Sequence, residues 1–156
     1  LAPITFRQII WQKYWLSVAT TSAFTLPLVT LSCIRLEVEP LLLGLAVYSV
    51  AATNLGLSGL AVGLGSLYPN FQEDNPARIV SGMGGTLNFL LSMGYIVLII
   101  GAETLVIQWH AMGGHERPTA FALGMAATAA FIAGLSALCV AVPMRLGLRN
   151  LSRAEF

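Results

Sequence analysis

Residues 65–86 read GSLYPNFQEDNPARIVSGMGGT, and long apolar runs lie on both sides of them. Two acids, two prolines and four glycines fall within this one stretch. Apolar residues resume at Leu87, so the segment interrupts a greasy chain rather than ending it. Flanking runs of this length are long enough to cross a bilayer, and the segment between them reads as a polar loop joining two membrane helices. That reading decides the fold.

Composition agrees with it. The protein has 156 residues, 56% hydrophobic and 10% charged, and a mean hydropathy of +0.78. Soluble domains carry roughly 25% charged residues. A deficit of charge along the whole length predicts an all-α polytopic membrane protein. The net charge of +1 supplies no broad basic face, so nucleic acid is not an expected partner. Cys33 and Cys139 sit inside apolar runs and read as free packing thiols. No Cys/His spacing fits a metal site. The chain opens on Leu1 rather than Met, and is expected to be an excerpt of a longer protein, forming one transmembrane domain over residues 1–156.

Working outward from the loop, four spans are expected at about residues 14–36, 41–68, 86–109 and 119–144. Pro27 should kink the first, because it has no N–H and its ring crowds the preceding turn. Arg35, Glu37, Glu39 and Pro40 fall in a tight turn before the second. That second span exceeds the roughly 20 residues a bilayer needs, so it tilts or projects.

Ahead of the first span the chain reads LAPITFRQIIWQK. Thr5 and Gln8 have capping-box spacing. Phe6, Ile9, Ile10 and Tyr14 share a helical face. Arg7, Trp11, Lys13 and Trp15 are the residue types found at a headgroup boundary. One reading is an interfacial elbow helix that bends into the first span; the other is a plain polar lead-in.

Four spans put both ends on one side, together with the quoted loop. That side holds Arg7, Lys13, Arg78, Arg145, Arg149 and Arg153, and the other holds Arg35 and Arg117, which accounts for all eight Lys and Arg. Six against two places the ends and the loop in the cytoplasm.

The loop has its own local logic. Asn75 is a favoured N-cap and Pro76 a favoured first helical residue. Glu73 and Asp74 sit at the positive end of the short helix that would follow. Gly82 can end that helix, Gly84 and Gly85 provide a pivot, and Thr86 can cap the third span. The result would be a short helix across the base of two spans, offering Glu73, Asp74 and Arg78 to a partner. A solvated connector is the alternative, although a simple connection needs only a few residues.

The run GLAVGLGSLYPNFQEDNPARIVSGMGGTLNFLLS resembles the central signature of permease subunits of ABC-type exporters. The opening LAPITFRQIIWQKYW is similar to the elbow that precedes such a permease's first span. The resemblance implies that Pro3, Thr5, Arg7 and Lys13 belong to the elbow. It implies that Glu73, Asp74, Asn75, Pro76, Arg78, Ser81, Gly82, Gly84 and Gly85 belong to a coupling loop that docks on an ATPase subunit. The match covers about one fifth of the chain. The family's unit has six spans where four are read here.

Remaining candidates are fewer. Glu103 lies inside the third span, where a carboxylate is a functional candidate by default. It falls near the outer interface, so a solvated or structural role stands beside one in substrate or proton handling. His110, His115 and Glu116 flank a Gly-Gly turn without metal spacing. Asn54 and the glycines at 56, 59, 63 and 65 stripe the second span, while Ala126, Ala130, Gly134, Ala137 and Ala141 stripe the fourth. Both stripes allow close helix contact, either within the chain or at a seam between permease copies. Gly82-Met83-Gly84-Gly85 lacks the Gly-Lys-Ser/Thr ending of a phosphate loop.

The expectation is the membrane-spanning subunit of an ATP-driven exporter. It would have no catalytic residues and bind no cofactor itself, with ATP and Mg²⁺ held by a partner ABC ATPase subunit. A second permease copy or half and membrane lipid complete the partners, and a bacterial inner membrane is the expected location. The alternatives are an ion-coupled secondary transporter or channel-like subunit using Glu103, and a non-transporting assembly or anchoring subunit.

Overall fold

The structure, a computed structural model, describes residues 6–68, 82–112 and 118–153. They form four helices in chain order: α1 (Phe6–Arg35), α2 (Pro40–Leu67), α3 (Met83–Ala111) and α4 (Pro118–Arg153). All four are long and apolar enough to cross a membrane. The shortest, α2, has 28 residues, which is about 42 Å at the rise of an α-helix. A hydrocarbon core is roughly 30 Å thick, so the ends tilt or project beyond it.

Lipid dictates this form. A backbone inside a bilayer must satisfy its own N–H and C=O groups, and a helix does so within one segment. The outward surface is apolar as well: Phe24, Leu28, Val97, Leu105 and Leu123 are all more than half exposed. In water such a surface would be an aggregation liability; in a bilayer it is the solvent-facing side.

The helices alternate in direction, and α2 is the hub. It packs against α1, α3 and α4, most extensively against α4, with which it runs parallel: Tyr48 meets Ala129, Gly59 meets Val140 and Gly63 meets Pro143. Among the described residues α1 and α3 do not meet, and α1 barely touches α4. Two clusters make the interior. Ala52, Leu60 and Leu64 of α2 close on Tyr95 and Ile99 of α3 and Ile132 of α4. Ile10, Tyr14 and Val18 of α1 close on Met144 of α4.

Glycines on α2 make the hub possible. Gly56, Gly59 and Gly63 are buried, and α4 lies directly on the last two. The matching stripe expected on α4 is less covered: its Ala141 is half-buried and lines, with Ala137, an open groove between α1, α2 and α4. Ala126, Ala130, Gly134 and Ala137 are exposed, and a Cβ on Gly134 would meet nothing within 4 Å. The α4 face that packs inward carries Ile132, Ser136, Val140 and Met144 instead. Helix α4 contributes one small residue of its own to this contact, Gly147, which is buried against Ser66 and the Gly63 carbonyl of α2.

Several boundaries differ from the sequence reading. The segment read as an elbow and the first span share one continuous helix from Phe6, and α1 stays helical through Pro27. Helix α4 continues through Pro143 to Arg153, past the end expected at Met144. Pro143 packs directly against Gly63 of α2 there. Helix α3 starts at Met83, three residues before Thr86.

The turn between α1 and α2 is a Schellman closure. Val38 N–H donates to the Cys33 carbonyl at 3.0 Å and Glu37 N–H to the Ile34 carbonyl at 3.2 Å. Glu37 takes the left-handed conformation that this motif requires, with φ 53°. Pro40 then occupies the first turn of α2, where its missing donor loses nothing.

Candidate functional site

The polar groups inside the bundle sit close to the middle of α2. Asn54 is buried and lies fourteen residues after Pro40, about 21 Å along the helix. Its Nδ2 donates to Thr25 Oγ1 at 2.7 Å and to Ser22 Oγ at 3.2 Å, both on α1. The Thr25 hydroxyl passes its own proton to the Thr21 carbonyl at 2.9 Å. Each group in this chain is used as its donor and acceptor inventory permits. One turn further along α2, Ser58 Oγ meets Ser17 Oγ at 3.1 Å. Helix α1 is thus held to α2 by hydrogen bonds as well as by apolar contact.

A second node joins the other three helices. Tyr95 of α3 reaches the Ser136 hydroxyl of α4 at 2.7 Å and the Ala52 carbonyl of α2 at 3.2 Å. Ser136 also donates to the Ile132 carbonyl at 2.7 Å. Gly56 makes room for the Tyr95 ring edge, since a Cβ there would collide with it. In hydrocarbon an unpaired hydroxyl is expensive, so such nodes fix register.

Residues 69–81 lie outside the described residues, and with them Glu73, Asp74, Asn75, Pro76, Arg78 and Ser81 of the expected coupling loop. Its two flanks are described, and they touch. A Cβ on Gly84 would stand 2.9 Å from Tyr68 Cβ. Gly84 therefore admits the end of α2 against the start of α3. The Gly82 carbonyl accepts from Thr86 N–H at 3.0 Å. Gly84 and Gly85 are accordingly in the first turn of α3 rather than in a free pivot, and Thr86 is inside the helix rather than at its cap. Asn88, one turn on, holds its Oδ1 buried with no hydrogen-bond partner among the described residues.

The other expected residues are scattered. Pro3 and Thr5 lie outside the described residues. Arg7 and Lys13 are exposed near the start of α1. Glu103 is half-buried on α3, one turn past buried Ile99 and one before buried Val106. It is eight residues from the end of α3, about 12 Å from that end of the bundle. It does not join Asn54.

Ser17, Ser22, Thr25, Ser58, Tyr95 and Ser136 were not singled out from the sequence. Isolated hydroxyl residues in apolar spans often bond their own helix, as Thr20, Thr30 and Thr104 do here. The one readable signal was Asn54, which cannot satisfy two amide protons within its own helix.

The glycines at 82–85 do not fit a nucleotide. A phosphate-cradling loop needs open backbone N–H groups and a following Lys, whereas the space over Gly84 is filled by Tyr68 and no lysine follows. A family model described as "Putative ATP-binding cassette" matches residues 1–156. No curated protein and no solved structure matches the chain.

Proposed function

The chain belongs to this ATP-binding cassette family, and from that membership we propose that it is the membrane-spanning part of an ATP-driven exporter. One observation carries the reading: the family match extends over residues 1–156, the described residues supply four candidate spans, and residues 1–156 contain no phosphate-loop motif. On this reading ATP and Mg²⁺ are held outside residues 1–156, by an ABC ATPase that acts on them as a partner. A second permease copy or half completes the path.

The input enters through the loop at residues 69–85. Glu73, Asp74 and Arg78 present charge to the ATPase, and Asn75 to Gly82 form the short helix that it moves. Contact between Tyr68 and Gly84 supports this assignment, because a displacement of the loop reaches α2 and α3 together. Helix α2 packs against the other three, so its motion is shared by all. ATP must bind one permease arrangement more tightly than the other for the cycle to run. The excess of Lys and Arg on the loop side supports a cytoplasmic loop in an inner membrane, with Pro3, Thr5, Arg7 and Lys13 at the same surface.

The test is ATPase stimulation by the reconstituted complex. Alanine at Glu73, Asp74 and Arg78 together should reduce stimulation at least tenfold while the permease still inserts. Unchanged stimulation would refute the coupling role. The half-buried Glu103 of α3 favours a second reading, ion-coupled transport. Under that reading Glu103→Gln abolishes transport and the loop variant does not.

A further inference from the structure

A groove of ≈480 Å³ opens between α1, α2 and α4. It exists because α1 lies against α2 and barely touches α4. Its size is within the range of ordinary ligand sites. Ala133, Ala137 and Ala141 form the α4 wall, Tyr14 the α1 wall, and Ala51 and Leu55 the floor. The hydroxyls at its border are already engaged: Tyr48 donates to the Ala129 carbonyl at 3.0 Å, and Ser136 is bonded as described above. Apart from the Tyr14 phenol, the interior therefore offers its occupant apolar surface.

Both wall rows run into arginine at the same end of the bundle. On α4 the row Ala133, Ala137, Ala141 continues at the same four-residue spacing to Arg145, and then to Arg149. On α1, Arg7 precedes Tyr14 by seven residues, close to two turns on the same face. All three arginines are exposed, as is Lys13. Met144, beside Arg145, packs on Ile10 and Tyr14, so the α1 and α4 cations flank one cluster. Among the described residues the acids are Glu37, Glu39 and Glu103, and all lie toward the opposite end.

We infer that this groove binds one anionic glycerophospholipid, with an acyl chain along the alanine row and its phosphate between Arg7 and Arg145. A basic pocket between spans is the recognised form of anionic headgroup site. The other natural occupant of an alanine-lined groove is a second copy of the chain. Two copies inserted in the same direction and related by a two-fold axis bring identical levels together. Arg7 and Arg145 of one would then face those of the other, which disfavours that pairing here. The inference does not depend on ATP coupling.

Tryptophan emission tests it. The full chain, with Trp109→Phe so that only Trp11 and Trp15 near the groove mouth report, is reconstituted in phosphatidylcholine vesicles. Brominated phosphatidylglycerol should quench at about fivefold lower mole fraction than brominated phosphatidylcholine. Arg7→Gln with Arg145→Gln should equalise the two lipids. Ala137→Leu, and independently Ala133→Leu, fill the groove at exposed positions without touching charge, and should equalise them as well. Equal quenching in the parent protein overturns the inference. So does a preference that survives both leucine variants, which would mean surface charge alone, or one abolished by millimolar inorganic phosphate, which would mean an anion site without a lipid. A change in the number of copies per particle in the leucine variants, with lipid preference unaltered, would identify the groove as a chain–chain interface and overturn it too.

Discussion

Gly59 of α2 lies so close to Val140 of α4 that a Cβ on it would stand 2.7 Å from the Val140 Cα. The obstacle is backbone, which cannot rotate aside. Gly63 stands in the same relation to Pro143 and Met144, with a built Cβ 2.6 Å from the Pro143 carbonyl carbon. These two positions set the separation of the most extensive helix pair in the bundle.

Gly59→Ala and Gly63→Ala should each destabilise the protein by about 1–3 kcal/mol, the usual penalty of overpacking. Gly65→Ala, where nothing lies within 4 Å, should be neutral or gain up to ~1 kcal/mol from helix propensity. Denaturant unfolding in detergent micelles measures all three. Equal effects at Gly59 and Gly65 would contradict this packing.

Asn54→Ala should weaken the α1–α2 contact by about 0.6–1.7 kcal/mol, the range for interhelical hydrogen bonds in membranes. A double-mutant cycle with Thr25→Ala should show that the two changes do not add, because one bond is lost only once. Full additivity would mean the pair does not interact.

Tyr95→Phe removes the hydroxyl that links α3 to Ser136 and Ala52 while keeping the ring over Gly56. Ser136 keeps its bond to the Ile132 carbonyl, so the loss should be modest, about 0.5–1.5 kcal/mol. Tyr95→Ala also empties the core and should cost about 3–5 kcal/mol, the range for deleting a large buried aromatic side chain. The ratio of the two unfolding free energies is the diagnostic quantity.

Glu37→Gly should stabilise the α1–α2 turn by about 1 kcal/mol. A non-glycine residue at φ 53° carries a steric penalty of that order, which glycine escapes. A lower thermal midpoint in the variant would show that the Glu37 side chain makes a compensating interaction.

Much of this architecture was legible in the sequence because lipid leaves the backbone few choices. Four apolar runs were read as four helices, and four are seen among the described residues. Interior detail was less accessible. Of the α2 glycines read as a contact stripe, Gly56, Gly59 and Gly63 are buried against neighbouring helices, while Gly65 is exposed with nothing within 4 Å. Of the α4 stripe with similar spacing, Ala126, Ala130, Gly134 and Ala137 are exposed and Ala141 is half-buried, because periodicity shows that a stripe exists and not which neighbour covers it. Thr86 looked like a cap from its residue type alone, but α3 starts at Met83 and Thr86 N–H already bonds back to the Gly82 carbonyl. Tyr95 and Ser136 gave no signal, since their partnership spans forty-one residues of sequence. The loop residues Glu73, Asp74 and Arg78 carry the functional reading on sequence and family grounds, and lie outside the described residues.

Topology of that loop is therefore the decisive measurement. Ala77→Cys, in a protein whose Cys33 and Cys139 are replaced by alanine, is exposed to a membrane-impermeant maleimide in right-side-out and in inverted vesicles. Modification in inverted vesicles alone, diminished when the ATPase subunit is bound, is the result the account predicts. Modification in right-side-out vesicles alone would contradict it.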